Sequence, residues 1–89
     1  MLTFEDRFHS DGVLGCYLWA DEPQTEKQVR FNIGPKILQD VLLGGNPVHD
    51  NVNVALCETN RSRIEAACQH AFADRPAASI DLQPMDFNQ

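Results

Sequence analysis

The segment Gln28-Val29-Arg30-Phe31-Asn32-Ile33 alternates strictly, with apolar residues at 29, 31 and 33 and polar ones at 28, 30 and 32. A period of two is the mark of a strand buried on one face only, and it says which side chains look at a core. Upstream, Gly12 opens Val13-Leu14-Gly15-Cys16-Tyr17-Leu18-Trp19-Ala20, dense in β-branched, aromatic and aliphatic residues. That run reads as a strand over 13–20. Residues 21–27 between them are polar and include Pro23, so they read as a loop. Two strands joined this way form an antiparallel hairpin, and the rest of the chain must cover its apolar face.

Residues 1–11 open with Leu2 and Phe4 and continue as a polar run interrupted by Phe8, which reads as a short edge strand or an ordered arm. After the hairpin, Gly34-Pro35 starts a helix, with Pro35 at the first helical position where its missing N–H costs nothing. Ile37, Leu38, Val41 and Leu42 share one face of it, and Gly44-Gly45 followed by Pro47 stops it. Asp50 is placed to cap a longer second helix that runs to about Asp74. At 100° per residue its apolar face gathers Leu56, Cys57, Ile64, Ala67, Cys68, Ala71 and Phe72, opposite Glu58, Ser62, Glu65 and Gln69. Arg61 and Glu65 form an i,i+4 pair of opposite charge. Thr59-Asn60 weakens helix propensity halfway, which allows a kink or a break. Arg75-Pro76 ends the helix, and Ser79-Ile80-Asp81-Leu82-Gln83 alternates once more before Pro84. The expected fold is therefore a single α+β domain over 1–89: a small, mainly antiparallel sheet of β-hairpin and final strand, with both helices packed on one face.

Composition narrows the function classes. Of the 89 residues, 43% are hydrophobic and 22% charged, which is globular rather than disordered. Seven Lys and Arg against thirteen Asp and Glu give a net charge of −6, which argues against phosphate-backbone binding as the main task. The N-terminus has acids where a signal peptide carries basic residues, and no apolar stretch approaches the roughly 20 residues of a spanning helix. The expectation is a cytoplasmic chain with no membrane partner. Cys16, Cys57 and Cys68 form an odd set without CxxC spacing, which fits reduced, buried thiols. On one helix Cys57 and Cys68 would stand about 16 Å apart, too far for a disulfide.

The whole-chain pattern resembles a family of small proteobacterial proteins known as domain of unknown function 1488. The matching features are Phe4-Glu5-Asp6-Arg7, the hairpin ending in Phe31-Asn32-Ile33, the helical run Asn60-Arg61, Arg63-Ile64-Glu65 and Ala66-Ala67, the closing Ile80-Asp81-Leu82 and the end at Asp86-Phe87. The family usually has a short turn between its hairpin strands, from which the longer connection at 21–27 departs. The resemblance implies a small α+β fold in a bacterial cytoplasm and brings no activity with it.

The residues that suggest a role lie on the hairpin. The strand over 13–20 is apolar on both faces. If Leu14, Cys16 and Leu18 pack under the helices, Tyr17 and Trp19 share the open face with Arg30. Exposed aromatics beside an arginine have the composition of a protein interface, and Arg30 over Trp19 would add about 0.5–1 kcal/mol of cation–π attraction. The competing arrangements are the reverse side assignment, or the N-terminal arm and the Asp86-Phe87 tail lying over these rings. Tyr17, Trp19 and Arg30 are the candidate binding residues, for a protein partner or a second copy of the chain. Regulation through nucleic acid, or through a regulator complex acting in transcription, is the alternative. Asn60 falls inside the apolar helix face, where it would tie down a loop, cap a broken helix, orient a ligand or simply be exposed at a kink. No catalytic constellation stands out. His9 with Asp11 and His49 with Asp50 lack a metal-ligand spacing, no phosphate-cradling loop or nucleophile elbow is present, and a Cys–His pair would need proximity that spacing does not supply. No cofactor or metal is expected.

Overall fold

The computed structural model describes residues 2–12, 14–43, 45 and 50–87, with only the backbone of Asp50. Its centre is the expected hairpin, formed by β3 (Cys16–Glu22) and β4 (Lys27–Ile33), antiparallel with Leu18 opposite Phe31 and Trp19 opposite Arg30. Two short strands, β1 (Thr3–Phe4) and β2 (His9–Ser10), pair antiparallel with β3 along its outer edge. On the other side β5 (Ser79–Asp81) pairs parallel to β4, with Phe31 opposite Ile80. The N-terminal segment is thus an edge strand in two pieces, and the sheet is antiparallel except for its last pair.

The first hairpin strand starts three residues later than the sequence suggests. Val13 is outside the described residues. Leu14 is not in the strand but in the left-handed region at φ 65°, with 41% of its surface exposed. The cause is a tight turn between β2 and β3. The Asp11 N–H donates to the Gly15 carbonyl at 3.1 Å, and the Gly15 N–H donates back to Asp11 Oδ1 at 3.1 Å. A Cβ at Gly15 would stand 2.6 Å from Asp11 Oδ2 and 3.0 Å from the Ile33 carbonyl oxygen, so the turn closes only on glycine. The connection at 21–27 is also tighter than expected. Both strands run on into it, leaving a four-residue turn at 23–26. There Thr25 N–H donates to Glu22 Oε2, Glu26 N–H donates to the Glu22 carbonyl, and Glu26 adopts φ 57°.

The helix expected from Pro35 does begin there but widens into a π-turn over Ile37–Val41, where the Leu42 N–H donates to the Ile37 carbonyl. Ile37, Leu38 and Leu42 are buried, as their spacing requires. Its end is set by Leu43 at φ 60°, one residue before the Gly44-Gly45 stop, of which Gly44 is outside the described residues. The long helix divides at Asn60 into α1 (Asp50–Thr59) and α2 (Arg61–Asp74). The capping role expected of the Asp50 side chain falls outside what is described.

The helices cover one face of the sheet. Cys16, Leu18, Ala20, Val29, Phe31, Ile33 and Ile80 from the strands meet Cys57, Ile64, Ala67, Cys68 and Ala71 from α1 and α2 in one buried cluster. Leu56 and Phe72 pack at its margin, half-buried. Burying a side chain such as Phe31 or Leu18 contributes about 1.5–3 kcal/mol. A short 3₁₀ turn at Pro84–Phe87 closes the fold. It is pinned by Asp86, whose carboxylate accepts from both terminal nitrogens of Arg75, at 2.9 and 2.6 Å, and from the Gln83 N–H at 2.7 Å.

Candidate interaction face

Alternation along β3 and β4 leaves the second face of the sheet without helices. Because Cys16, Leu18 and Ala20 point inward, Tyr17 and Trp19 point outward, as do Arg30 and Asn32 beside them. Tyr17, Trp19 and Arg30 are therefore brought together on the open face, each half-buried. Two features differ from the sequence reading. The Arg30 guanidinium lies over Tyr17, 3.8 Å from its ring centroid, rather than over Trp19, its cross-strand partner. The N-terminal arm covers part of the face: His9 stacks on Tyr17 with centroids 5.0 Å apart and planes 22° apart. The Asp86-Phe87 tail does not reach these rings, since Asp86 is buried against Arg75 and Phe87 packs on the core.

Tyr17 is thus held by His9 and Arg30, and Trp19 meets its edge in a T-shaped contact at 6.5 Å. A polar row fixes the arginine. Arg30 Nε donates to Asn32 Oδ1 at 2.8 Å, and Asn32 Nδ2 donates to Asp81 Oδ1 at 2.9 Å and to Ser79 Oγ at 3.1 Å. His9 Nε2 lies 2.5 Å from Glu5 Oε1. Arg30 is therefore orientated by a ring and an amide, while its terminal nitrogens donate to nothing among the described residues. A planar cation presented in this way can take a carboxylate in two parallel hydrogen bonds.

A cleft of about 430 Å³ opens at the C-terminal ends of the parallel strands β4 and β5, lined by Asp11, Asn32, Lys36, Asp81, Gln83 and Pro84 among others. Its Asn32 amide is already satisfied by Asp81 and Ser79. Asn60 is structural: its side chain donates to the Leu56 carbonyl at 2.9 Å, where α1 stops. The buried amide is instead Asn53, 1% exposed, which donates to the Leu14 carbonyl and steadies the turn before β3. A hydropathy pattern ranks Asn53 as a surface residue and could not have found it. Arg61 was legible as the partner of Glu65, at 2.7 Å. It also donates to the carbonyls of Glu5 and Asp6, fastening the arm that carries His9.

All three cysteines are buried, and none of them is in a disulfide. Hydrogen bonding with Cys16, together with burial, pushes the Cys57 thiol up, and burial pushes Cys68 up. Neither is poised as a thiolate nucleophile. Among the described residues no group of three or more His, Cys, Asp or Glu is placed to hold a metal ion, and no helix is long and apolar enough to cross a membrane. In comparisons with known proteins, the chain matches no family model, no curated protein and no solved structure.

Proposed function

We propose that this protein is a non-enzymatic interaction module that docks a protein partner through the open face of its sheet, in the setting of a bacterial cytoplasm. The observation that carries this reading is the Tyr17–Trp19–Arg30 cluster, two aromatic rings and a stacked, pre-orientated arginine on a face without helices. Tryptophan, tyrosine and arginine are enriched among the few residues that dominate the energetics of protein interfaces. A chain of this length buries only about 64% of its unfolded surface on folding, so its core is thin, and docking would add to its stability by mass action.

The charge pattern supports a protein over a nucleic acid. Single-stranded nucleic acid stacking on aromatics needs a positive groove, whereas the strands that carry Tyr17, Trp19 and Arg30 also carry Asp21 and lie beside Glu5 and Asp81. The test is the double variant Tyr17→Ala/Trp19→Ala, compared with the wild type for the proteins each retains at equal concentration. Loss of retained partners with an unchanged melting curve is the expected result. An unaltered set of partners would overturn the docking reading, and binding that falls steeply with salt would favour the nucleic-acid alternative.

A further inference from the structure

We infer that the occupant of this face is a second copy of the chain, related by a two-fold axis that pairs Arg30 of each copy with Asp21 of the other. The inference rests on the docking reading and names its partner. On the open face Trp19 has three charged neighbours: Arg30 across the strand pair, Asp21 two residues along its own strand, and Glu5 on the other side, whose carboxylate is taken up by His9. Arg30 and Asp21 are diagonal to one another, about 7–8 Å apart at the backbone. They do not meet. Arg30 turns the other way along the sheet, toward Tyr17 and Asn32, and is held there. Asp21 is exposed, and among the described residues its carboxylate has no hydrogen-bond or ion-pair partner. One face thus carries a fixed cation with unused donors and a carboxylate with no partner, on two sides of a tryptophan.

That pattern is its own complement. A two-fold axis parallel to the sheet and beside Trp19 lays Arg30 over the partner's Asp21, Asp21 over the partner's Arg30, and the two Trp19 rings against each other. This is the self-matching that a closed dimer demands, since each residue meets its counterpart's partner twice. Two chains of −6 repel at long range, so attraction must come from local complementarity at the face. Four strands at about 4.8 Å spacing give a footprint of a few hundred Å² per copy. That is below the size of stable specific interfaces, so the dimer is a weak, concentration-dependent one.

The experiment uses two single variants, Arg30→Glu and Asp21→Lys, studied alone and mixed, at about 0.15 M salt where screening is short-ranged. Solution mass by light scattering and the emission of Trp19, the only tryptophan, report association. The wild type is expected to dimerise. Each variant alone sets like charges against each other twice and should weaken the dimer at least about tenfold. The equimolar mixture restores both opposite-charge contacts and should recover most of the wild-type dimer. Both substitutions are at solvated positions, and recovery on mixing itself shows that both variants fold. A mixture that stays monomeric overturns the pairing. So does a wild type that is monomeric up to about 1 mM. In that case the docking reading itself is still decided by the Tyr17/Trp19 comparison, so the two failures are distinguishable.

Discussion

Arg30 and Arg75 are the same side chain put to opposite uses. Arg75 gives both terminal nitrogens to a carboxylate that is fully buried, and also donates to the Asp81 carbonyl at 3.2 Å. Its fork is spent inside the molecule, locking the end of α2 to the 3₁₀ turn after β5. Arg30 is orientated by weaker contacts, one amide and one ring, that leave its terminal nitrogens without a hydrogen bond among the described residues. A committed arginine is part of the fold. One that is orientated and uncommitted has geometry that the fold does not need, and this is the physical ground for looking to Arg30 for function.

The comparison breaks most visibly at Arg75. Arg75→Ala leaves Asp86 buried without its counter-charge, a class of change that costs about 3–5 kcal/mol. Water reaches part of the Arg75 side chain, 32% exposed, so the lower end, about 3 kcal/mol, is expected. For a domain of this size that lowers Tm by more than about 10 °C. Thermal unfolding followed by circular dichroism measures it, and a loss under about 1 kcal/mol would remove Arg75 from the fold's essential contacts.

Acid sharpens the same contrast. Burial works to raise the Asp86 carboxyl, but the Arg75 guanidinium and the Gln83 N–H outweigh it and hold the group below its ordinary value. A carboxyl depressed in the folded state contributes stability that is fully present above its unfolded value of about 3.9 and is lost as pH falls through the folded value. Urea unfolding at a series of pH values from about 6 to 3 should show stability declining into acid. Asp86→Asn, which cannot ionise, should be less stable at neutral pH and show a shallower decline. An equally steep decline in the variant would assign the acid sensitivity to other carboxylates.

These two arginines also divide what was legible in the sequence from what was not. The side of the sheet that carries Arg30 follows from alternation alone: once Val29, Phe31 and Ile33 face inward, Arg30 must face outward, and Tyr17 and Trp19 follow when Cys16 and Leu18 are buried. The partner of Arg30 does not follow, because register puts Trp19 opposite it while the side-chain rotamer carries the guanidinium diagonally to Tyr17. The break at Thr59-Asn60 was visible as weak propensity. The late start of β3 was not, since it depends on Asp11 reaching back to Gly15 and on Asn53, far along the chain, holding the Leu14 carbonyl. The Arg75–Asp86 pair was hidden for a similar reason. In sequence Arg75 is a helix stop and Asp86 a tail residue, and only the intervening strand β5, by pairing with β4, folds one back onto the other.

The smallest effect expected is the most informative about Arg30. Arg30→Ala removes a cation–π contact of about 0.5–1 kcal/mol and one hydrogen bond to Asn32. It uncovers no buried charge, because Asn32 is half-exposed and water can replace the lost donor. The isolated monomer should therefore lose no more than about 1 kcal/mol in urea unfolding, several times less than at Arg75. Measured at a concentration well below the dimer's Kd, that number separates the fold from the interface: a loss as large as Arg75's would mean that Arg30 is structural after all. A small loss, together with weakened association at high concentration, is what an arginine kept ready for another molecule should give.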